Sequence, residues 1–301
     1  MPTRGGSIKL FRLFGINVYI HWAWFLAFAY LVSRPREYSS YGWNALEVLA
    51  LFAIVLTHEF GHQLACRQVG GKTNDIVLWP LGGVAYVSPP QRPGAQLWSI
   101  AAGPLVNVIL LPLLSVLISV TAHFHLYDSE SDTYHLLHNI WLINIVLLVF
   151  NMLPIYPLDG GQILRSLLWF PFGRANSLLI ASIFGLIGAV GLIGLAIWVQ
   201  SIWLGLITFF VVTNCWQALK QAQALSRLAK IPRRKEFACP SCKTSPPLSE
   251  LWRCGKCGGK FDTFQTQGTC PHCGTQFSAT QCLDCGETNP ITAWIVPPPA
   301  S

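Results

Sequence analysis

Residues 43–65 read WNALEVLALFAIVLTHEFGHQLA, and within them His58-Glu59-Phe60-Gly61-His62 spells H-E-x-x-H. Apart from that motif, the run holds one charged side chain, Glu47. Residues four apart share a face of a helix, so both imidazoles can reach one metal ion. Glu59, adjacent in sequence, can reach a water at that metal and act as a general base. Ionisable groups at membrane depth are costly, which makes an intramembrane H-E-x-x-H a functional hypothesis by default.

The rest of the chain has the same character. Apolar residues make up 52% and charged residues 11% of 301, with a mean hydropathy of +0.45. That composition belongs to a chain whose core forms within lipid. Ten of the twelve Trp lie between Trp22 and Trp216, several near span ends, where amphipathic rings favour the interface. The net charge of +7 comes from dispersed Lys and Arg, with Arg233-Arg234-Lys235 the one compact run. Cytoplasmic loops explain that pattern better than nucleic acid does. No cleavable signal peptide is evident, since residues 16–32 lack a small-residue cleavage site after them.

Six spans are expected, at about 16–32, 43–66, 95–120, 136–153, 178–199 and 202–219. The last two divide an uncharged run, 175–219, whose 45 residues would make a helix about 67 Å long, too long for one ~30 Å core. Gln200-Ser201 is the turn signal between them. With the N-terminus inside, the inner segments carry Arg4, Lys9, Arg12, Arg67, Lys72, Arg92, Arg165, Arg174 and the six basic residues from Lys220 to Lys235, while the outer segments carry only Arg34 and Arg36. The outer loop 121–135 holds Asp128, Glu130 and Asp132 and no Lys or Arg. Both termini are therefore expected in the cytoplasm. His58 would then lie about 12 Å below the cytoplasmic surface.

Two histidines need a third protein ligand to make a catalytic zinc site. Asp159 is the best candidate. Pro154 and Pro157 end the fourth span, and Gly160 and Gly161 follow Asp159 at a depth compatible with the histidines. A helix N-cap is the competing role for Asp159. Asn107 in the third span and Asn151 at the end of the fourth are buried amides, each either an interhelical hydrogen bond or a substrate contact. Residues 74–87, with Gly82-Gly83 between two short apolar runs, read as a β-hairpin. His21 reads as a satisfied interior residue. His123, His125, His135 and His138 read as groups on or near the outer side, and Cys66 and Cys215 as small buried hydrophobes.

Together these residues resemble the site-2 protease family of intramembrane zinc metalloproteases. The features are H-E-x-x-H in a span, Gly103-x-x-x-Asn107, and Asn151-x-x-Pro154-x-x-Pro157-Leu158-Asp159-Gly160. The resemblance covers about residues 14–219. It implies that His58, His62 and Asp159 bind the catalytic zinc, that Glu59 is the catalytic acid/base, and that Asn151 lies at the site with Asn107 close by. It also places the hairpin at the membrane surface, where an open strand edge can pair with an unwound substrate segment. The version opening on Gly15 to Trp22 is similar to the archaeal and sporulation-factor members, which makes a bacterial cell membrane the expected setting.

After Lys220 the chain changes. A polar, basic linker, 221–236, precedes four C-x-x-C pairs within 237–295: Cys239/Cys242, Cys254/Cys257, Cys270/Cys273 and Cys282/Cys285. Two pairs make one tetrahedral zinc site. Sequential pairing expects Cys239, Cys242, Cys254 and Cys257 on one structural zinc, and Cys270, Cys273, Cys282 and Cys285 on a second, in ribbons at 237–260 and 268–290. Disulfides do not suit a cytoplasmic tail. Zinc ribbons bind nucleic acid or protein. Here Lys243, Arg253, Lys256 and Lys260 are offset by Glu250, Asp262, Asp284 and Glu287, which favours a cytoplasmic protein partner over nucleic acid.

The expected fold is mainly α, a polytopic membrane protein of about six transmembrane helices (residues 1–220) with a small membrane-associated β-hairpin and a cysteine-rich zinc-ribbon module. The expected activity is zinc-dependent hydrolysis of peptide bonds in or beside transmembrane segments of membrane-protein substrates, within the lipid bilayer. A membrane metal transporter or sensor, and a silent scaffold whose ribbons recruit a partner, are the alternatives. Neither needs Glu59 beside an intact ligand set.

Overall fold

A computed structural model describes residues 5–33, 38–80, 82–124 and 131–296. Arg4, Arg34, Arg36, His125, Asp128 and Glu130, which carry part of the charge and histidine pattern, lie outside the described residues. The chain divides into two compact units, Met1–Lys220 and Gln221–Ser301.

The first unit opens with strands, not a span. β1 (Ser7–Leu13) and β2 (Ile16–His21) precede helix α1 (Ala23–Ser33). The expected first span at 16–32 is thus corrected. Ile16, Val18 and Ile20 alternate with polar or aromatic residues, a period of two that pairs β2 antiparallel to β1 and parallel to β3 (Lys72–Trp79). The 11 residues of α1 rise only about 16 Å, well short of a ~30 Å core. β3 pairs antiparallel with β4 (Gly82–Ser88), so the expected hairpin forms, as half of a four-stranded sheet of order β1-β2-β3-β4. The parallel β2–β3 crossover runs through α1 and α2 (Tyr41–Gln68). Ile16, Val18, Ile76 and Leu78 pack against Phe60 and Phe52 of α2. Each such fully buried side chain contributes roughly 1.5–3 kcal/mol, which fixes the sheet over the half of α2 that carries the motif.

α3 (Pro93–His123), α4 (Asp132–Asn151), α5 (Asp159–Trp198) and α6 (Ile202–Ala229) follow. Among the described residues, four helices are long and apolar enough to cross a membrane, namely α2, α3, α4 and α5. The chain is an integral membrane protein. Glu47, buried in α2, accepts hydrogen bonds from Tyr38 at 2.5 Å and from Asn139 of α4 at 3.0 Å. Both bonds reach Oε2, and such partners make a buried carboxylate tolerable.

α5 is not one rod. Its backbone leaves helical geometry at Gly173 (φ 76°, ψ 173°). A Cβ on Gly161 would overlap the Tyr156 backbone, and one on Gly185 would sit tightly, 3.0 Å from the Tyr156 carbonyl oxygen. A straight helix would hold residues 24 apart about 36 Å from each other. α5 therefore folds back at Gly173, midway between the two contacts. Its second limb packs Ala189 and Leu192 against Ile155 and against Val211 and Cys215 of α6. The turn between α5 and α6 falls at Gln200 (φ 51°), beside the Gln200-Ser201 signal.

The second unit carries short strand pairs, β5 (Trp252–Arg253) with β6 (Lys260–Phe261) and β7 (Ala279–Gln281) with β8 (Thr288–Pro290). The segment 221–229, part of the expected linker, is helical as the end of α6. Trp252, Phe261, Phe264 and Trp294 form a small aromatic core beside the cysteines, with Phe237 packed on it. Arg233 makes a two-pronged ion pair with Asp284, at 2.6 and 3.0 Å, and Arg234 pairs with Asp262 at 2.5 Å. Two charges of the compact basic run are thus neutralised inside this unit.

Candidate metal centres

His58 and His62 project from one face of α2, their Nε2 atoms 3.1 Å apart. Asp159, the first residue of α5, brings Oδ2 to 3.0 Å from His58 Nε2 and 3.4 Å from His62 Nε2. The position before it, Leu158, is the N-cap and has no side-chain cap bond. Asp159 thus turns its carboxylate to the histidines rather than capping the helix. Its placement comes from the loop 152–158, where Ile155 N–H donates to Leu153 O at 2.7 Å and Leu158 N–H to Ile155 O at 2.8 Å.

The Nδ1 atoms define what the Nε2 atoms can do. His58 Nδ1 faces Asn107 Oδ1 at 2.6 Å, and His62 Nδ1 faces the Ser99 carbonyl at 3.0 Å. Both partners are acceptors, so each Nδ1 carries the proton and each Nε2 presents a lone pair. Two imidazole nitrogens and a carboxylate oxygen then converge, a donor set that could hold a metal ion. A tetrahedral zinc with bonds of 2.0–2.1 Å sets its ligand atoms about 3.3–3.4 Å apart. The observed edges of 3.0, 3.1 and 3.4 Å fit that group.

Two glycines make room for the centre. A Cβ on Gly103 of α3 would overlap the His62 imidazole, and one on Gly83 of β4 would lie 2.6 Å from Glu59 Oε1. The Glu59 carboxylate is therefore buried against the backbone of β4, an edge strand of the sheet. Asn107 is fully buried, and its amide is oriented by Asn144, a residue that the motifs do not single out. Asn107 Nδ2 donates to Asn144 Oδ1 at 2.8 Å, and Asn144 Nδ2 donates back to the Asn107 carbonyl at 3.0 Å. The signal was ambiguous, because α4 carries three amides, Asn139, Asn144 and Asn151, and spacing alone does not say which one reaches Asn107. Asn151 ends α4 half-buried and takes no part in this network. His21 lies apart from the metal ligands, stacked on Trp79 at 4.0 Å and accepting from Ala23 N–H. Cys215 packs in the α5–α6 core.

In the second unit the cysteines group as Cys239, Cys242, Cys282 and Cys285, and as Cys254, Cys257, Cys270 and Cys273. The expected sequential pairing, and with it the division into ribbons at 237–260 and 268–290, is corrected: the motifs nest, outer with outer and inner with inner. Each motif folds as a similar knuckle. The N–H four residues after the first Cys donates back to that Cys carbonyl, at 2.8–2.9 Å in all four, from a left-handed position filled by Lys243, Gly258, Gly274 or Gly286. The cross-motif Sγ···Sγ separations are 3.5–3.7 Å, close to the ~3.8 Å edge of a zinc tetrathiolate with 2.3 Å bonds and far beyond a disulfide. Thr275 Oγ1 sits 3.2 Å from Cys273 Sγ, and that hydroxyl with the Thr275 backbone holds the Cys273 thiol down to about 6. The aromatic core is larger than a tail of this length promised.

The profile of Peptidase family M50 matches residues 46–127 and 118–195. The solved site-2 protease from Methanocaldococcus jannaschii superposes with a TM-score of 0.54 at 30% identity, over 71% of this chain and 95% of that one. A zinc metalloprotease of the same organism is 34% identical over 179 residues, 60% of this chain and 50% of its own length. A putative zinc metalloprotease of Synechocystis sp. is 30% identical over 242 residues, 74% of this chain and 62% of its own. The chain thus spans half to three-fifths of these two relatives. It belongs to the site-2 protease family, Peptidase family M50. His58, Glu59, His62 and Asp159 all sit in the matched region, and the cysteine unit lies beyond it.

Proposed function

We propose that the chain is an intramembrane zinc metalloendopeptidase that cleaves membrane proteins in or beside a transmembrane segment. One observation carries this: His58, His62 and Asp159 offer ligand atoms all within 4.8 Å of one another, inside a membrane fold, with Glu59 next to them. His58, His62 and Asp159 hold the catalytic zinc. Bound there, zinc acidifies water and polarises a peptide carbonyl. Glu59 accepts the proton of the attacking water and delivers it to the leaving amine, in a site closed to bulk solvent by β4. Asn107 and Asn144 are positioning residues that hold the His58 tautomer. Asn151, at the end of α4, supplies a contact to the substrate backbone.

A helical substrate hides its carbonyls in its own hydrogen bonds, so it must unwind to be cut. An unwound segment laid along β4 would run past Glu59, so substrates should carry helix-weakening residues near the cut. The two cysteine groups each hold a structural zinc, and that unit serves a cytoplasmic protein partner. The excess of Lys and Arg in the segments read as inner supports a cytoplasmic side for both termini. The likeness to sporulation-factor members supports a bacterial cell as the setting.

Asp159→Ala is expected to weaken zinc binding at the membrane centre by more than about 100-fold, since it removes a direct ligand. Zinc per chain, measured by mass spectrometry at fixed chelator concentration, should fall by one. Unchanged stoichiometry and affinity would return Asp159 to a structural role. Asn144→Leu is expected to cost about 10–100-fold in affinity at the same centre, because Asn107 can then rotate its N–H towards His58. Asn144→Asp keeps the acceptor and should restore part of it. Cobalt titration followed by visible absorption separates the two variants, and equal affinities would remove Asn144 from the relay.

A further inference from the structure

Where α2 meets the sheet lies a polar cluster that the peptidase chemistry leaves unused. Glu59, Gln63 and Arg67 follow one another at four-residue steps on α2, so they share the face that lies against the sheet. Glu59 meets Gly83 of β4. Gln63 is fully buried and donates from Nε2 to the Asp75 carbonyl of β3 at 3.0 Å, and Arg67 donates from Nε to Thr73 Oγ1 at 2.7 Å. One such helical step rises about 6 Å, close to the ~6.8 Å spanned by two strand residues, so the two anchors match in spacing. Asp75 is 2% exposed, and its carboxylate accepts from Nδ2 of Asn17, its register partner on β2, at 3.0 Å. Gln63 Oε1 is buried without a hydrogen-bond partner. An apolar side chain of that length would avoid this cost, so packing alone does not account for Gln63.

The anchors stand at a β-bulge. Thr73 pairs with Val87 and Ile76 with Ala85, so Asn74 and Asp75 together oppose Tyr86. Beyond the bulge, Leu78 pairs with Gly83. Continued without it, the pairs Lys72–Ser88 and Thr73–Val87 would set Val77 opposite Gly83 and Leu78 opposite Gly82. Leu78 packs towards Phe60 of α2, and directly opposed residues share a face of the sheet. Gly83 therefore turns to α2 and Glu59 only in the bulged register. A slip would also exchange the residues of β4 whose N–H and C=O groups point to the open edge, a displacement of about 3.4 Å.

We propose that Gln63 and Arg67 are positioning residues: by pinning the bulge of β3 they set the register of β4 over Glu59, and with it which peptide bond of the substrate is cut. The inference rests on the peptidase reading, with the substrate laid along β4, and deepens it. An edge strand holds an extended segment through main-chain hydrogen bonds at fixed places, so it reads the segment in whole-residue steps. Glu59, His58 and His62 belong to α2 and stay where they are when β4 slips. A slip therefore carries the substrate past the reacting groups.

The test uses the full chain in liposomes with a single-span substrate that carries Gly and Asn in its membrane segment. Mass spectrometry of both products reads the cut position, alongside kcat, KM and zinc per chain. Wild type is expected to give one main cut. Gln63→Met removes one anchor; it should keep the zinc, lower kcat about 10–100-fold with KM within about twofold, and move a substantial share of the cuts to a neighbouring bond. Asp75→Asn keeps the carbonyl for Gln63 and an acceptor for Asn17, and should cut where wild type does. A Gln63→Met enzyme that cuts only at the wild-type position, whatever its rate, would overturn the proposal. If that variant loses its zinc, Arg67→Met decides by the same criterion. Loss of zinc in both would make the cluster a folding element and reject the proposal as well. No cleavage by wild type would instead be a failure of the peptidase reading, and this inference would fall with it.

Discussion

Glu59→Gln is expected to lower cleavage of a transmembrane substrate by about 1,000-fold or more while leaving the zinc content at wild-type level. Gln keeps the shape of Glu and fits the same space beside Gly83, where the Glu59 carboxylate lies against β4. It cannot take a proton from water at neutral pH. The ligand atoms of His58, His62 and Asp159 do not depend on it. The measurement pairs turnover of a single-span substrate in liposomes with metal per chain. Substantial turnover by the variant would remove Glu59 from acid/base work, and lost zinc would show that it holds the site together instead. In cells, comparative membrane proteomics of wild type and E59Q should reveal a single-span protein that accumulates, which names a substrate.

The parts of the site that could be read in the sequence are those that follow from local spacing. H-E-x-x-H on a helix puts His58 and His62 on one face whatever surrounds it, and prolines at 154 and 157 force a break that delivers Asp159. Hydropathy found α2 to α5 because length and apolarity are properties of the segment itself. It misread residues 16–32, because a buried strand followed by a short helix has the same hydropathy as one span. What separates them is the pairing of β2 with β3, 58 residues away, and no local property records that. The alternation of Ile16, Val18 and Ile20 was the available sign. Asn144 was passed over for a related reason: its role exists only through Asn107, on another helix. The fold-back at Gly173 was not read, since the length argument for residues 175–219 located only the turn at Gln200-Ser201; its position needed the contacts of Tyr156.

The cysteine unit yields the other large effect, because sequential and nested pairing predict opposite results from the same substitutions. Local knuckle geometry is identical in the two schemes, so the C-x-x-C spacing could not choose between them. The choice is made by contacts between the two ends of the unit: Ala238 N–H, just before the first motif, donates to Trp294 O at 2.8 Å, and Asn289 Nδ2, just after the fourth, donates to Ser241 Oγ at 3.2 Å. These bonds draw the first and last motifs together around an inner pair. Closing the inner site spans the 12 residues between Cys257 and Cys270, whereas the outer spans 39 between Cys242 and Cys282. Once the inner site is closed, the chain path between the outer motifs shortens by about half, which lowers the closure cost of the outer site by roughly 0.6 kcal/mol. The inner metal should therefore load first and help the outer. In the full chain, wild type is expected to carry three zinc ions, one at the membrane centre and two in this unit. Replacing Cys239, Cys242, Cys282 and Cys285 by Ser together should leave two, since the inner tetrathiolate stays whole. Replacing Cys239, Cys242, Cys254 and Cys257 instead should leave one, because each nested site then loses half its ligands. Sequential pairing reverses these counts, one for the first variant and two for the second. Zinc per chain by native mass spectrometry distinguishes them, and a count of two in the second variant would refute the nested arrangement.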